Sequence, residues 1–259
     1  MIVYMEHRKN LKIKVFNMWW WMYALLTVLV LWAVTFLARD MSEDIRWRII
    51  TVLSIVELII LRIYKFSLRN LRSDYNYFNE LPCYLCNQST LLCIIASVLR
   101  NSVLASFCAS IGTLGAVLSF VMPDRYNRDQ SVFSMQAYGF YGYHGLLIIT
   151  CLLFCTLGLY VLDPKDCIWS AVITFLLACI AHIINTVLRK TGLNPGSNYV
   201  FTYEPDNFIL QKMYDLFPVK LFYMIPVLPV FSLYTFVFFS VLRVLAQTSV
   251  TCILSSSVF

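Results

Sequence analysis

Residues whose side chains can do chemistry recur inside apolar segments of this chain, where ionisable groups are costly and face a cavity or a partner. The first candidates are Cys86, in the stretch Glu80-Leu-Pro-Cys-Tyr-Leu-Cys-Asn-Gln88, and His144 in a later apolar run. A thiolate is a nucleophile, and a histidine with its ordinary pKa of about 6.5 can serve as a base at neutral pH. These residue types permit nucleophilic and acid–base chemistry.

The stretch around Cys86 has the features of a helix start. Pro82 suits the first turn of a helix, where its missing N–H costs nothing. Glu80, Cys83 and Cys86 recur every three residues, so Cys83 and Cys86 are expected on one helix face. We place Cys86 within the first two turns, where the helix dipole favours a thiolate.

Two later segments carry polar residues at helical spacing. His182, Asn185 and Arg189 fall on one face of a predicted helix. Around His144, glycines recur every three residues, at Gly139, Gly142 and Gly145. Small residues let a neighbouring helix approach closely, so we expect His144 to be pressed against that helix.

Each of these residues also has a structural interpretation. Cys86 fits a buried structural cysteine, and His144 fits a hydrogen-bonded packing residue. A basic side chain of another helix is the expected partner of Glu57. Cys83 and Cys86 with two histidines have zinc-ligand chemistry, but the usual second close pair of ligands is missing, so we expect no metal and no cofactor.

Composition defines the class of protein. Of the 259 residues, 60% are hydrophobic and 13% are charged, with a mean hydropathy of +0.72. This composition excludes intrinsic disorder and nucleic-acid-binding tails, and too much apolar surface is present for a soluble globule. Most of the nine cysteines sit inside apolar runs, and we expect no disulfide scaffold in a chain with this much membrane-buried surface. We interpret five of them as small buried hydrophobes, namely Cys93, Cys108, Cys151, Cys155 and Cys179.

Apolar segments of about 20 residues predict an all-α polytopic membrane bundle with about seven transmembrane helices. The segments are 16–37, 46–66, 81–99, 102–121, 137–161, 167–188 and 218–244. No linker or repeat interrupts them, so we expect residues 1–259 to form a single integral-membrane helical domain. The first segment is too long for a signal peptide and is expected to remain as a span.

Basic residues predict the orientation. Of the 20 Lys and Arg residues, 14 fall on the N-terminal side of this topology, which places the N-terminus in the cytosol and the C-terminus opposite. Cys86, His144, His182, Asn185 and the loop 194–199 then lie toward one membrane face. The counted residues on the N-terminal side are Arg8, Lys9, Lys12, Lys14, Arg62, Lys65, Arg69, Arg72, Arg125, Arg128, Arg189, Lys190, Lys212 and Lys220.

Four ordered pieces of the chain resemble the transmembrane protein 164 family and its bacterial YwaF-type relatives. They cover about residues 80 to 226. The pieces are Glu80-Leu-Pro-x-x-x-Cys86-Asn87, Phe140-Tyr-Gly-Tyr-His144-Gly145, Asn185 with Gly196-Ser-Asn198-Tyr199-x-Phe201 and Pro205, and Pro218 to Tyr223.

The resemblance implies a phospholipid acyltransferase whose catalytic residues correspond to Cys86 and His144. His144 would deprotonate Cys86, and an acyl-thioester would form and pass to a lysophospholipid. The expected substrate-binding residues are Asn87, Gln88, His182, Asn185, Arg189, Asn198 and Tyr199. The chain departs from the family pattern at Tyr84, where many relatives carry a histidine. If that histidine takes part in the reaction of the relatives, this protein is expected to react more slowly, differently or not at all.

Two other functions fit the same residues. A transporter or binding protein would use the polar cavity without covalent chemistry, although an odd number of spans without internal symmetry argues against inverted repeats. A structural or assembly protein would use these polar groups only to hold helices together. The expected surroundings are the lipid bilayer, with phospholipid and lysophospholipid partners and no nucleic acid. The sequence leaves the oligomeric state open.

Overall fold

The computed structural model describes residues 11–69, 75–123, 127, 130–161, 163–206 and 208–256, with side chains as far as residue 243. Within these ranges the secondary structure is helical, apart from one isolated antiparallel bridge between Lys12 and Ser131. The predicted all-α class is therefore confirmed. Several basic residues counted for orientation lie outside the described residues, namely Arg8, Lys9, Arg72, Arg125 and Arg128.

Seven long helices follow the order of the seven predicted segments, and one short helix lies before the last of them. Their bounds are α1 Met18–Ala38, α2 Glu43–Leu68, α3 Leu85–Leu99, α4 Ser102–Val121, α5 Met135–Thr156, α6 Cys167–Lys190, the short α7 Phe208–Leu216 and α8 Val227–Ser256.

Among the residues that the structure describes, five helices are long and apolar enough to cross a bilayer, namely α1, α4, α5, α6 and the part of the last helix within Phe222–Arg243. The chain is therefore an integral membrane protein. The two remaining predicted spans differ in detail. Charged side chains occur along the 26 residues of α2, and α3 has only 15 residues because it begins at Leu85.

Helix α5 lies at the centre of the bundle. In its most apolar stretch 67% of the residues are buried, against 11% in α1, so α1 turns most of its surface outward, where lipid would lie. Two glycines bring neighbours close to α5. A Cβ on Gly139 would lie 2.2 Å from the ring of Tyr64 in α2, and one on Gly145 would lie 2.6 Å from Thr27 Oγ1 in α1.

The predicted glycine ridge is therefore wrong at Gly142, where a Cβ would have no neighbour within 4 Å. The local helix geometry explains the difference, because residues Tyr138–Gly142 form a π-helical turn rather than a regular α-helix. A second π-helical turn, Cys108–Gly112, lies inside α4. Such turns shift the faces that a helix presents and are frequent at functional sites.

The chain ahead of α1 is bonded to the connection between α4 and α5. Ile13 N–H donates to Gln130 O, and Val132 N–H donates to Leu11 O, each at 2.8 Å. Near the start of α1, Trp20 Nε1 donates to Phe120 O at 2.9 Å. These bonds fix α1 against the end of α4.

The cysteines agree in part with the expectation from sequence. Cys93, Cys108 and Cys151 are fully buried, as predicted, whereas Cys155 and Cys179 are partly exposed. All eight cysteines within the described side chains are free thiols.

Candidate active site

Cys86 is the second residue of α3, which confirms its predicted place in the first two turns. The first hydrogen bond of the helix runs from Gln88 N–H to Tyr84 O at 3.0 Å, so the N–H groups of residues 85–87 have no partner inside the helix. Cys86 as a residue is partly exposed, and its Sγ lies 3.5 Å from Ser119 Oγ of α4. Cys86 thus lies at the positive end of a helix dipole.

The expectation that Cys83 and Cys86 share a helix face is wrong. Pro82 and Cys83 precede α3, and Cys83 N–H donates to Leu81 O at 2.8 Å in a tight turn. Cys83 packs in a small apolar cluster with Leu188 and Tyr199. Contacts with the later loop hold residues 81–84 out of the helix, so Pro82 lies before the first turn.

His144 is buried in the first turn of α5 after the π-helical turn, with 7% of its surface exposed. Its Nδ1 lies 2.8 Å from Phe140 O. A carbonyl oxygen only accepts, so in the neutral ring Nδ1 carries the proton and Nε2 is the basic nitrogen. This is the tautomer that a general base requires if Nε2 faces its substrate.

A chain of hydrogen bonds connects the helix of His144 with the helix of Cys86. The hydroxyl of Tyr143 donates to Asn87 Oδ1 at 3.0 Å and lies 2.9 Å from Thr90 Oγ1. Thr90 also contacts the carboxyl group of Glu57, and this group accepts a bond from Thr150 at 2.9 Å. Sequence analysis did not identify Thr90, Tyr143 or Thr150, because a hydroxyl in an apolar helix gives no distinctive signal.

Glu57 is fully buried, and its described partners are these two hydroxyl groups. The expected basic partner is therefore wrong. A carboxyl group in this position joins three helices, because Glu57 belongs to α2, Thr90 to α3 and Thr150 to α5. Buried polar groups in a membrane bundle need such partners, since no water is available to replace them.

Asn185 fixes the loop that follows α6. The fully buried amide donates to Tyr199 O and Thr202 Oγ1, both at 2.9 Å. Its oxygen accepts from Ser197 Oγ at 2.7 Å and from Tyr199 N–H at 2.9 Å. All four hydrogen-bonding positions of the amide are therefore used within the protein.

The predicted face of α6 is confirmed, because His182, Asn185 and Arg189 all contact this loop. His182 Nδ1 lies 3.2 Å from Thr202 Oγ1, and Arg189 Nε donates to Ser197 O at 2.6 Å. The amide of Asn198 is also used inside the loop, where Nδ2 donates to Glu204 O at 2.8 Å.

A cluster of basic groups surrounds the ring of Tyr203. His182 stacks on the ring at a centroid distance of 4.9 Å, and the Arg189 guanidinium lies 4.5 Å from its centre. The exposed Lys220 ammonium lies 4.3 Å from the same ring. No signal in the sequence indicated that Lys220 belongs to this cluster, because it lies 17 or more positions after every other residue of the cluster.

Tyr199 joins this loop to the segment before α3. Its hydroxyl donates to Phe78 O and accepts from Leu81 N–H at 3.2 Å, and its ring packs against Tyr84 at 4.9 Å. Burial raises the pKa of Tyr199 above its ordinary value, which keeps the phenol protonated as the donor to Phe78. The segment of Cys86 therefore meets the loop after α6 directly.

Two further polar residues belong to this region. Lys65, in the last turn of α2, pairs with the buried Glu80 at 2.5 Å. Gln88 donates from Nε2 to Leu177 O at 3.4 Å, and its buried Oε1 has no hydrogen-bond partner among the described residues. The structure thus brings the segment of Cys86, the start of α5 and the loop after α6 into one region, as the topology predicted.

No group of three or more His, Cys, Asp or Glu side chains suited to a metal ion occurs within the described ranges. Comparison with known proteins gives one match. A family model described as the TMEM164 family matches residues 11–245. No curated protein and no solved structure matches the chain. The matched region includes all four pieces that carry the resemblance, which is thereby confirmed.

Proposed function

Because this chain belongs to the TMEM164 family, we propose that it is an integral-membrane acyltransferase or transacylase that acts on phospholipids through Cys86 and His144. One observation carries the proposal beyond family membership. Tyr143, which precedes His144, is bonded to Asn87, which follows Cys86, at 3.0 Å. This bond supports the pairing because it holds the helices of the nucleophile and the base together beside both residues.

The first half-reaction forms an acyl-enzyme. His144 Nε2 takes the Cys86 proton, and the thiolate attacks the carbonyl carbon of an sn-2 ester. The C–O bond of the tetrahedral intermediate then breaks. The lysophospholipid alkoxide leaves with the proton from His144, and the acyl group remains on Cys86 as a thioester.

The second half-reaction transfers the acyl group. The hydroxyl of a lysophospholipid attacks the thioester carbonyl while His144 takes its proton. The C–S bond breaks, and the thiolate recovers the proton. Splitting the transfer into two displacements replaces one difficult step by two easier ones.

Backbone N–H groups at the start of α3 are the best donors for the oxyanion. Among the side-chain amides nearby, Gln88 Nε2 already donates to Leu177 O, Asn198 Nδ2 already donates to Glu204 O, and Asn87 is fixed through its oxygen by Tyr143. The N–H groups of residues 85–87, by contrast, have no partner inside the helix and lie beside the nucleophile.

The basic cluster around Tyr203 suits a lipid phosphate. Arg189 already donates to Ser197 O and pairs with Glu204 at 3.1 Å, so we assign it to holding the loop as well as to binding. Lys220 adds an exposed ammonium on the same ring. His182, Asn185 and Tyr199 then act as positioning residues that shape the loop around this phosphate.

The same proposal includes an orientation and an extent. We place the N-terminus in the cytosol, with the C-terminus opposite, because this orientation puts the more basic connections inside and keeps Cys86 reduced. We assign residues 1–259 to one helical domain.

The test is mass spectrometry of the purified protein after incubation with phospholipid in nanodiscs. We expect a hydroxylamine-sensitive acyl group on Cys86, absent from Cys86→Ser and reduced at least 100-fold in rate in His144→Ala. Cys155→Ser is the matched control, because Cys155 is also a partly exposed free thiol. Full acyl transfer by Cys86→Ser, or an unmodified Cys86 across a broad lipid panel, would refute the mechanism.

The alternative function is a membrane transporter or binding protein that uses the same polar region without covalent chemistry. The buried Oε1 of Gln88, which has no hydrogen-bond partner among the described residues, favours it because a bound ligand could donate to this atom. A lipophilic electrophile separates the two functions. Selective reaction at Cys86 supports catalysis, and equal reaction among the accessible thiols supports binding.

A further inference from the structure

A second site lies at the other end of α3. The 15 residues of α3 separate it from Cys86 by about 20 Å. Here α2 and α3 form a surface groove of about 320 Å³ whose lining includes Asp44, Arg48, Val52, Ser97, Val98 and Arg100. We propose that this groove binds an anionic phospholipid, with the phosphate between Arg48 and Arg100 and one acyl chain along the two valines.

Charge at the polar end of the groove suits a phosphodiester. Arg100 Nη2 pairs with Asp44 Oδ1 at 2.5 Å, which offsets one of the two guanidinium charges. Arg48 lies one turn after Asp44 on the same face of α2 and is exposed. None of the described residues offers Arg48 a hydrogen bond or an ion pair. The groove therefore carries a net charge of about +1, opposite to that of a phosphodiester.

The backbone at Arg100 gives a second, independent argument. Arg100 ends α3 in the left-handed conformation, with φ 51° and ψ 41°. Glycine is the usual residue at such a position, because a Cβ is disfavoured there. Arg100 adopts this conformation despite its Cβ, and its side chain lines the groove. Strained backbone of this kind is frequent at ligand-binding sites.

The rest of the groove suits an acyl chain. Val52, one turn after Arg48 on α2, is 57% exposed, and Val98, two residues before Arg100 on α3, is 61% exposed. Between them, Thr51 Oγ1 donates to Ser97 Oγ at 2.8 Å, so these hydroxyls satisfy each other. A groove with a cationic end and an apolar continuation matches a lipid better than free phosphate.

The test is native mass spectrometry of the purified full-length protein with phosphatidylglycerol and phosphatidylcholine of identical acyl chains. We expect the wild type to prefer phosphatidylglycerol. Arg48→Gln and Arg100→Gly should each lower the affinity for phosphatidylglycerol about fivefold, and lower it by a larger factor than the affinity for phosphatidylcholine, whose choline cation offsets the phosphate charge. Arg100→Gly should not lower the melting temperature, since glycine accepts the left-handed backbone.

Arg39→Gln is the matched control. Arg39 has a side-chain exposure of 58%, against 51% for Arg100, and it also pairs with an aspartate. Its loss should not change lipid binding. Equal affinities of the wild type for the two lipids, unchanged binding in Arg48→Gln, or an equal loss in Arg39→Gln would overturn the proposal. If Arg48→Gln fails to fold, Arg48→Lys must retain the preference, because it keeps the charge.

Discussion

Tyr143 donates its phenolic proton to Asn87 Oδ1 across 3.0 Å, and so links α5 to α3 one residue away from both His144 and Cys86. The bond is deep in the bundle, because Tyr143 is 1% exposed and Asn87 is 4% exposed. Its position indicates that this hydroxyl group helps to set the relative placement of the two helices.

Tyr143→Phe removes that hydroxyl and keeps the ring. We expect the free energy of unfolding to fall by about 1–2 kcal/mol, because buried acceptors lose their donor, and the rate of Cys86 acylation to fall as well. Thermal unfolding and thioester mass spectrometry measure the two effects. Tyr138→Phe is the control, since Tyr138 is 48% exposed. Unchanged acylation in Tyr143→Phe would separate this bond from the chemistry.

Glu57 is expected to be a neutral acid, by a count of protons. Three contacts join the oxygens of Glu57, Thr90, Tyr143 and Asn87 in a row. Each hydrogen bond needs one proton, the hydroxyls of Thr90 and Tyr143 supply one each, and an amide oxygen supplies none. The carboxyl group of Glu57 is left to supply the third.

Glu57→Gln should therefore fold almost as well as the wild type, because an amide can donate to Thr90 and accept from Thr150 in the same geometry. Glu57→Leu should lose about 2 kcal/mol of unfolding free energy, since buried hydroxyls lose their partners. Infrared spectroscopy should show a protonated carboxyl band at neutral pH that disappears in Glu57→Gln and persists in Glu43→Gln. A band unaffected by Glu57→Gln would show that the carboxyl group is ionised.

The two glycines of the π-helical turn in α5 should respond oppositely to substitution by alanine. In Gly139→Ala the Cβ would lie 2.2 Å from the ring of Tyr64, whose hydroxyl is held by Asn127 at 2.9 Å, so we expect destabilisation of about 1–3 kcal/mol. Gly142→Ala meets no atom within 4 Å and should stabilise the helix by up to about 1 kcal/mol. Melting temperatures of the pair test this, and equal shifts would contradict the packing.

Asn185→Ala should release the loop after α6. It removes the two bonds that the amide donates and the two that its oxygen accepts. We expect the free energy of unfolding to fall by about 3 kcal/mol and hydrogen exchange at the Tyr199 amide to become faster. Thr191→Ala, in the exposed residue after the same helix, is the control. If Tyr199 exchanges at the wild-type rate in Asn185→Ala, other contacts hold the loop.

Tyr84→His tests the departure from the family pattern. Tyr84 precedes α3 and packs edge-on against Tyr199. A histidine at this position adds a base beside the start of α3, and we expect acylation of Cys86 to become about tenfold faster. Tyr84→Phe keeps the ring contact without adding a base and should leave the rate unchanged. A rate for Tyr84→His no higher than that of Tyr84→Phe would remove this position from the chemistry.

Hydrophobic length predicted the helices because a bilayer imposes one length on each span. Hydrophobic length predicted the start of α3 less well. Leu81 and Tyr84 are held outside the helix by contacts with Tyr199, which lies more than 110 positions later in the chain. Polar spacing was informative on α6, where His182, Asn185 and Arg189 share a face and a common partner. It gave no signal for Tyr143, because in a stretch rich in aromatic residues a hydroxyl donor looks like a packing ring.

The bond from Trp20 to Phe120 has a consequence for the order in which the protein is assembled. The first long helix to be synthesised finds this partner only when the chain is 100 residues longer, and the bonds from Ile13 to Gln130 and from Val132 to Leu11 form later still. Until then α1 has lipid on the face that it later buries. The opening helix of the sequence therefore reaches this packing only after the three helices that follow it have been made.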